Sequence, residues 1–108
     1  MNFCDVFYYL YPGGMFALGA EKRNTSDPWF LRGKQLTETC RKSYAQTDTR
    51  LGPEVFYFTD KIDAVAISAS DKRYLLRPET VESYFYMWRF THDNIYREYA
   101  WEVVEVRI

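Results

Sequence analysis

Apolar positions cluster along this chain in blocks that alternate between helical spacing and strand-like runs. Phe7 to Leu10 is apolar and meets a break at Pro12-Gly13-Gly14. Met15 to Ala20 is a second apolar run, helical or extended, followed by a polar, loop-like stretch from Glu21 to Ser26. Asp27-Pro28 pairs an N-cap aspartate with a proline suited to the first turn of a helix. After it Trp29, Gly33, Leu36, Cys40 and Tyr44 recur at helical spacing, which predicts one buried face and an end near Tyr44 or Gln46. Glu54 to Phe58 and Ala64 to Ser68 are β-prone and flank the charged turn Asp60-Lys61-Ile62-Asp63, a small hairpin. Pro78 to Phe90 reads as a helix apolar on most sides, and therefore buried. His92-Asp93-Asn94 then links it to a last helix from Ile95 to Val104. The architecture expected is mainly α, helical hairpins with a small β-hairpin insert.

The segment that carries most chemistry is the entry to the Pro78 helix. A strand-like run, Arg73-Tyr74-Leu75-Leu76, leads into Arg77, Pro78, Glu79 and Glu82. Pro78 pushes Arg77 toward an extended backbone and suits the first turn itself. Glu79 then sits among free backbone N–H groups at the positive end of the helix dipole, which favours a charged carboxylate. Glu82, three residues on, shares its face. Two carboxylates and a guanidinium at one helix mouth can hold a polar ligand or a hydrated cation. The same residues also serve as plain helix-start signals.

Composition narrows the classes. With 108 residues the chain is one small domain at most. It holds 14 basic and 15 acidic residues, a formal net charge of -1, which gives no electrostatic case for nucleic acid or an anionic membrane. Aromatics reach 19%, with ten tyrosines, material for a core first and for sugar stacking second. No apolar run is long enough to span a membrane, and the N-terminus lacks the basic residues of a signal peptide. His92 is the sole histidine and falls in an αα turn; no cysteine or histidine pair has zinc spacing.

The wording Leu75-Leu76-Arg77-Pro78-Glu79-Thr80-Val81-Glu82-Ser83, continued by Tyr84 to Asp93, resembles the catalytic-base segment of the class I α-1,2-mannosidases, glycosyl hydrolase family 47. Gly13 to Ala20, Thr39 to Tyr44 and Leu51 to Phe58 match upstream in the family's order, and Tyr96 to Glu102 downstream. The resemblance runs from about Tyr11 to Val104. The phrase Gly13-Gly14-Met15-Phe16-Ala17-Leu18-Gly19-Ala20 resembles the Golgi branch more than the endoplasmic reticulum branch.

The resemblance implies a partial (α/α) barrel: residues 1–108 as a fragment of a single glycosyl hydrolase catalytic domain. It implies an inverting enzyme that removes terminal α-1,2-linked mannose from high-mannose N-glycans, with Glu79 as the base and Arg77, Pro78, Glu82 and Glu54 around the sugar. It implies Ca²⁺ with no direct ligand in this chain, Glu54, Glu79 and Glu82 reaching it through water. Glu54 also reads as a strand-edge surface charge. The resemblance places the general acid upstream of Met1 and the calcium-binding threonine downstream of Ile108, so the isolated chain is expected to be inactive. It further implies a Golgi or endoplasmic reticulum lumen, with a membrane anchor upstream, although no targeting signal is present here. Cys40 matches a family disulfide cysteine whose partner position falls on Leu10, so that partner is lost; either Cys4 substitutes for it or both thiols stay free. The family histidine falls on Phe7. These edges read as a partial gene model, splice variant or pseudogene product. Asn24-Thr25-Ser26 is a glycosylation sequon, relevant only in the lumen. Two alternatives remain: a non-catalytic glycan-binding module and a helical interaction module of the same fold.

Overall fold

The computed structural model describes residues 2–5, 12–20, 24–62, 64–75 and 78–105. These form β1 (Asn2–Asp5), α1 (Pro12–Gly19), α2 (Pro28–Ala45), β2 (Val55–Phe58), α3 (Glu79–Thr91) and α4 (Ile95–Val104). The chain is mainly helical, as expected.

The break expected at Pro12-Gly13-Gly14 is instead the start of α1. Proline opens a helix without loss, and the two glycines leave a bare face. That face lets α1 lie against α2 and α3 at once. A Cβ placed on Gly33 would stand 2.6 Å from the Gly13 carbonyl oxygen, and one on Gly13 would stand 2.6 Å from Thr37 Oγ1. The Gly14 N–H donates to Ser83 Oγ at 3.2 Å, which ties α1 to α3.

Helix α2 begins where the sequence marks it. The Asp27 carboxylate accepts from the Trp29 N–H at 2.8 Å. Its buried residues are Phe30, Gly33, Thr37, Cys40, Ser43 and Tyr44, so the expected face is corrected at Trp29 and Leu36. Trp29 is 58% exposed and stacks on Phe16 at the surface, ring centroids 5.3 Å apart. The close approach at Gly33 fixes the roll of α2 and carries Phe30, not Trp29, into the core with Ala17, Tyr84, Met87 and Tyr96. Leu36 is left half-buried.

Helix α3 is not buried all round. Thr80, Ser83, Tyr84 and Met87 face inward, whereas Phe85 is 53% exposed. Among the described elements α1, α2 and α4 cover one side of it. The other side forms, with α4, an open groove of about 780 Å³ that Phe85, Trp88, Trp101 and Val104 help to line. Arg41 joins α2 to α4 through an ion pair with Glu102, its guanidinium 4.5 Å from the centre of the Tyr99 ring.

The expected hairpin is reduced to one bridge. Tyr57 and Val65 exchange N–H···O bonds of 2.9 Å, but Ala64 has φ 55° and cannot continue a strand. The main partner of β2 is β1, antiparallel, with Asn2 opposite Phe58 and Cys4 opposite Phe56.

Candidate functional site

Glu79 is the first residue of α3. Pro78 occupies the cap position, one step earlier than its sequence reading, and its carbonyl accepts the Glu82 N–H at 3.0 Å. Pro78 gives this end no side-chain cap, so the first-turn N–H groups lie beside Glu79 and Glu82 without a bond from the cap residue. The Glu79 side chain is half-buried. Its Oε2 is enclosed and has no hydrogen-bond partner among the described residues. An enclosed carboxylate oxygen is costly to leave unmatched, which marks it as an atom waiting for a donor.

Four residues pack around the rear of this helix start. Tyr44 is 1% exposed, and a Cβ on Gly52 would run into its ring. Burial pushes the Tyr44 phenol well above its ordinary value, opposed by the Thr80 hydroxyl and aided by the charge of Glu79. The Tyr74 phenol is also raised, chiefly by burial and then by the charge of Glu79. The Cys40 thiol, buried beside Thr80, is pushed up to about 12. All three groups therefore stay protonated near neutral pH and present hydrogens rather than charges.

Glu82 is exposed. It borders a shallow recess of about 120 Å³ with Gly14, Met15, Leu18 and Tyr86. Pro78 is exposed beside it. Glu54 lies just before β2, where its N–H donates to the Asp71 carbonyl at 2.7 Å. Among the described residues no three His, Cys, Asp or Glu side chains gather into a metal centre, so Glu54, Glu79 and Glu82 are not one coordination cluster. The large groove between α3 and α4 does not include Glu79 in its lining, and its apolar character does not suit a sugar site.

Arg77 lies outside the described residues, as do Phe7 and Leu10. Cys4 is placed only by its backbone, opposite Phe56, which packs on Cys40; the Cys4 side chain and its pairing lie outside the description. Asn24 is exposed in a turn, its Oδ1 accepting the Ser26 N–H at 2.9 Å. His92 is exposed and ends α3 in the left-handed conformation, φ 56°, its N–H on the Trp88 carbonyl at 2.7 Å. The sequence pattern places Tyr44 on the buried face of α2 and Tyr74 in the run leading into Arg77, and gives neither a place beside Glu79. The one signal for such a place is the short spacing from Tyr74 to Glu79.

The sequence profile of glycosyl hydrolase family 47 matches residues 8–106. Human mannosyl-oligosaccharide 1,2-alpha-mannosidase IC is 52% identical over 96 residues, covering 87% of this chain and 15% of that protein. Mannosyl-oligosaccharide alpha-1,2-mannosidase IA of Drosophila melanogaster is 48% identical over 96 residues, 87% of this chain and 14% of the relative. The pig protein named mannosyl-oligosaccharide 1,2-alpha-mannosidase IA is 46% identical over 97 residues, 88% and 15%. The chain thus spans about 15% of the length of these relatives.

Proposed function

The chain belongs to glycosyl hydrolase family 47, and on that premise we propose that it supplies the catalytic-base segment of an inverting mannosyl-oligosaccharide 1,2-α-mannosidase. The observation that carries the reading is Glu79 at the start of α3, with one enclosed oxygen that has no hydrogen-bond partner among the described residues. Inversion requires a carboxylate that takes a proton from water on one side of the sugar and a carboxylic acid on the other. Glu79 has the position for the first role: it stands at the helix mouth beside the first-turn N–H groups, open to water and sugar. Glu82, exposed one turn on, is placed to bond a sugar hydroxyl. In this reading Arg77 and Pro78 border the same sugar, and Glu54 approaches it from the loop before β2. The acid comes from a part of the catalytic domain outside this sequence. Helices α1 to α4 are paired helices of an (α/α) barrel.

Calcium fits this site in a limited sense. The donors are carboxylate oxygens, the type calcium prefers, and the unmatched Glu79 Oε2 can accept from a water in its shell. The described carboxylates do not gather closely enough to bind it directly. Bound calcium would supply positive charge and ordered water beside the sugar. The substrate proposed is a high-mannose N-glycan, met in the Golgi or endoplasmic reticulum lumen, where Asn24 would itself be open to glycosylation.

The test compares the 108-residue chain with a complete catalytic domain in which residues 8–106 replace the matching stretch of the human relative. The chain alone is expected to leave an α-1,2-linked mannobiose intact. The complete domain is expected to cleave it, and Glu79→Gln to abolish cleavage. A Glu79→Gln domain as active as its parent would leave only the reading of a binding or interaction module.

A further inference from the structure

The triplet Asn24-Thr25-Ser26 lies outside the sugar site and carries a chemistry of its own. An asparagine two places before a serine is an acceptor for N-linked glycosylation when the residue between them is not proline. Here that residue is threonine, and all three side chains are exposed. Two bonds shape the segment. The Asn24 Oδ1 accepts the Ser26 N–H at 2.9 Å, and the Asn24 carbonyl accepts the Asp27 N–H at 3.1 Å. The first bond makes an Asx turn. It engages the side-chain oxygen of Asn24 and leaves its Nδ2 without a partner among the described residues; the Ser26 hydroxyl has none either. A glycosyl transferase needs these two groups, the nitrogen that forms the new bond and the hydroxyl that identifies the acceptor. Asp27 and Pro28 then fix the turn to the start of α2.

The turn is also remote from Glu79. Helices α2 and α3 run antiparallel. The Phe30 ring meets the Phe90 ring with centroids 6.1 Å apart, while Thr37 Oγ1 and Ser83 Oγ lie 2.6 and 3.1 Å from one point, the Cβ position of Gly13. Moving along α2 from Phe30 toward Tyr44 therefore moves back along α3 from Phe90 toward Glu79. Asn24 precedes the first end of this pair, and Glu79 stands at the other. The 18 residues of α2 separate the two ends, a span of about 27 Å at about 1.5 Å per residue. We propose that Asn24 is an N-glycosylation site whose glycan leaves the sugar site at Glu79 free. The proposal rests on the reading of the chain as lumenal. In the step itself the Asn24 Nδ2 bonds to C1 of an oligosaccharide carried on a polyprenyl diphosphate. The C1–O bond to the diphosphate breaks, its electron pair leaves with the polyprenyl diphosphate, and the amide gives up one proton.

The test secretes the complete domain carrying residues 8–106 from a eukaryotic cell behind a cleavable signal sequence, so that entry to the lumen is imposed. Release of its glycans by a peptide N-glycosidase in ¹⁸O water, followed by peptide mass spectrometry, is expected to find the ¹⁸O label on residue 24. The label should vanish in Asn24→Gln and in Ser26→Ala and persist in Thr25→Ala. Removing the glycan from the folded domain should leave kcat and KM for an α-1,2-linked mannobiose unchanged. An unlabelled residue 24 in the secreted parent would overturn the inference, and cleavage by that same protein would leave Glu79 as the base. A kcat that changes on glycan removal would overturn the placement of the glycan away from the sugar site. A secreted parent labelled at residue 24 but inert on the mannobiose would sink the reading of Glu79 and leave the glycosylation site standing.

Discussion

Replacing Gly33 by alanine tests the packing that sets the site's framework. The added Cβ would meet the Gly13 carbonyl oxygen at 2.6 Å, the Ala17 nitrogen at 3.0 Å and the Phe16 Cβ at 3.3 Å. Two of the three are backbone atoms of α1, so no side chain can turn aside, and α1 must move bodily from α2. Overpacking of this kind costs about 1–3 kcal/mol, and backbone contact places it toward the upper end. Alanine returns about 1 kcal/mol of helix propensity. The net expectation is a loss of about 1–2 kcal/mol, near a fifth of the stability of a small domain by order of magnitude. Displacement of α1 also stretches the Gly14 N–H to Ser83 Oγ bond and loosens the inner face of α3. Urea unfolding followed by far-ultraviolet circular dichroism should show a lower midpoint at unchanged slope. Gly19→Ala is the control: nothing lies within 4 Å of its Cβ position, and its midpoint should stay or rise. A Gly33→Ala chain as stable as the parent would refute the close approach of α1 and α2.

Alkaline pH should unfold the chain early. Cys40 and Tyr96 rise on folding from 9.0 and 10.0 to about 12, so the folded state holds protons that the unfolded state has released. Their stabilisation is complete below pH 9 and lost as pH climbs to about 12; a melting temperature that holds over that interval would contradict it. Tyr84→Phe should be neutral or stabilise by up to about 1 kcal/mol, because the Tyr84 hydroxyl is buried with no partner among the described residues. A calorimetric loss in that variant would reveal a bond to that hydroxyl.

Local signals in the sequence were legible where the chemistry was local. The Asp27 cap and Pro28 marked the start of α2, and the Ile95–Val104 helix lies where its pattern put it. Glu79 and Glu82 were readable at a helix mouth because proline and acidic residues act within one turn. The roll of α2 was not readable. Trp29 and Phe30 are adjacent apolar residues, and the choice between them was made by Gly13 and Gly33 meeting across two helices. Pro12-Gly13-Gly14 reads as a break from propensity alone, since glycine is a poor helix former; tertiary contact reverses that preference. The hairpin failed at Ala64, whose positive φ no pattern of β-prone residues announces.

The anomeric form of the released mannose tests the central claim most directly. In a complete domain carrying residues 8–106, early-time proton NMR of the hydrolysis of an α-1,2-linked mannobiose should show β-mannose first, with α-mannose growing only by mutarotation. Glu79→Gln should release neither. Direct appearance of α-mannose, or unchanged release from Glu79→Gln, would contradict Glu79 as the base that activates the attacking water.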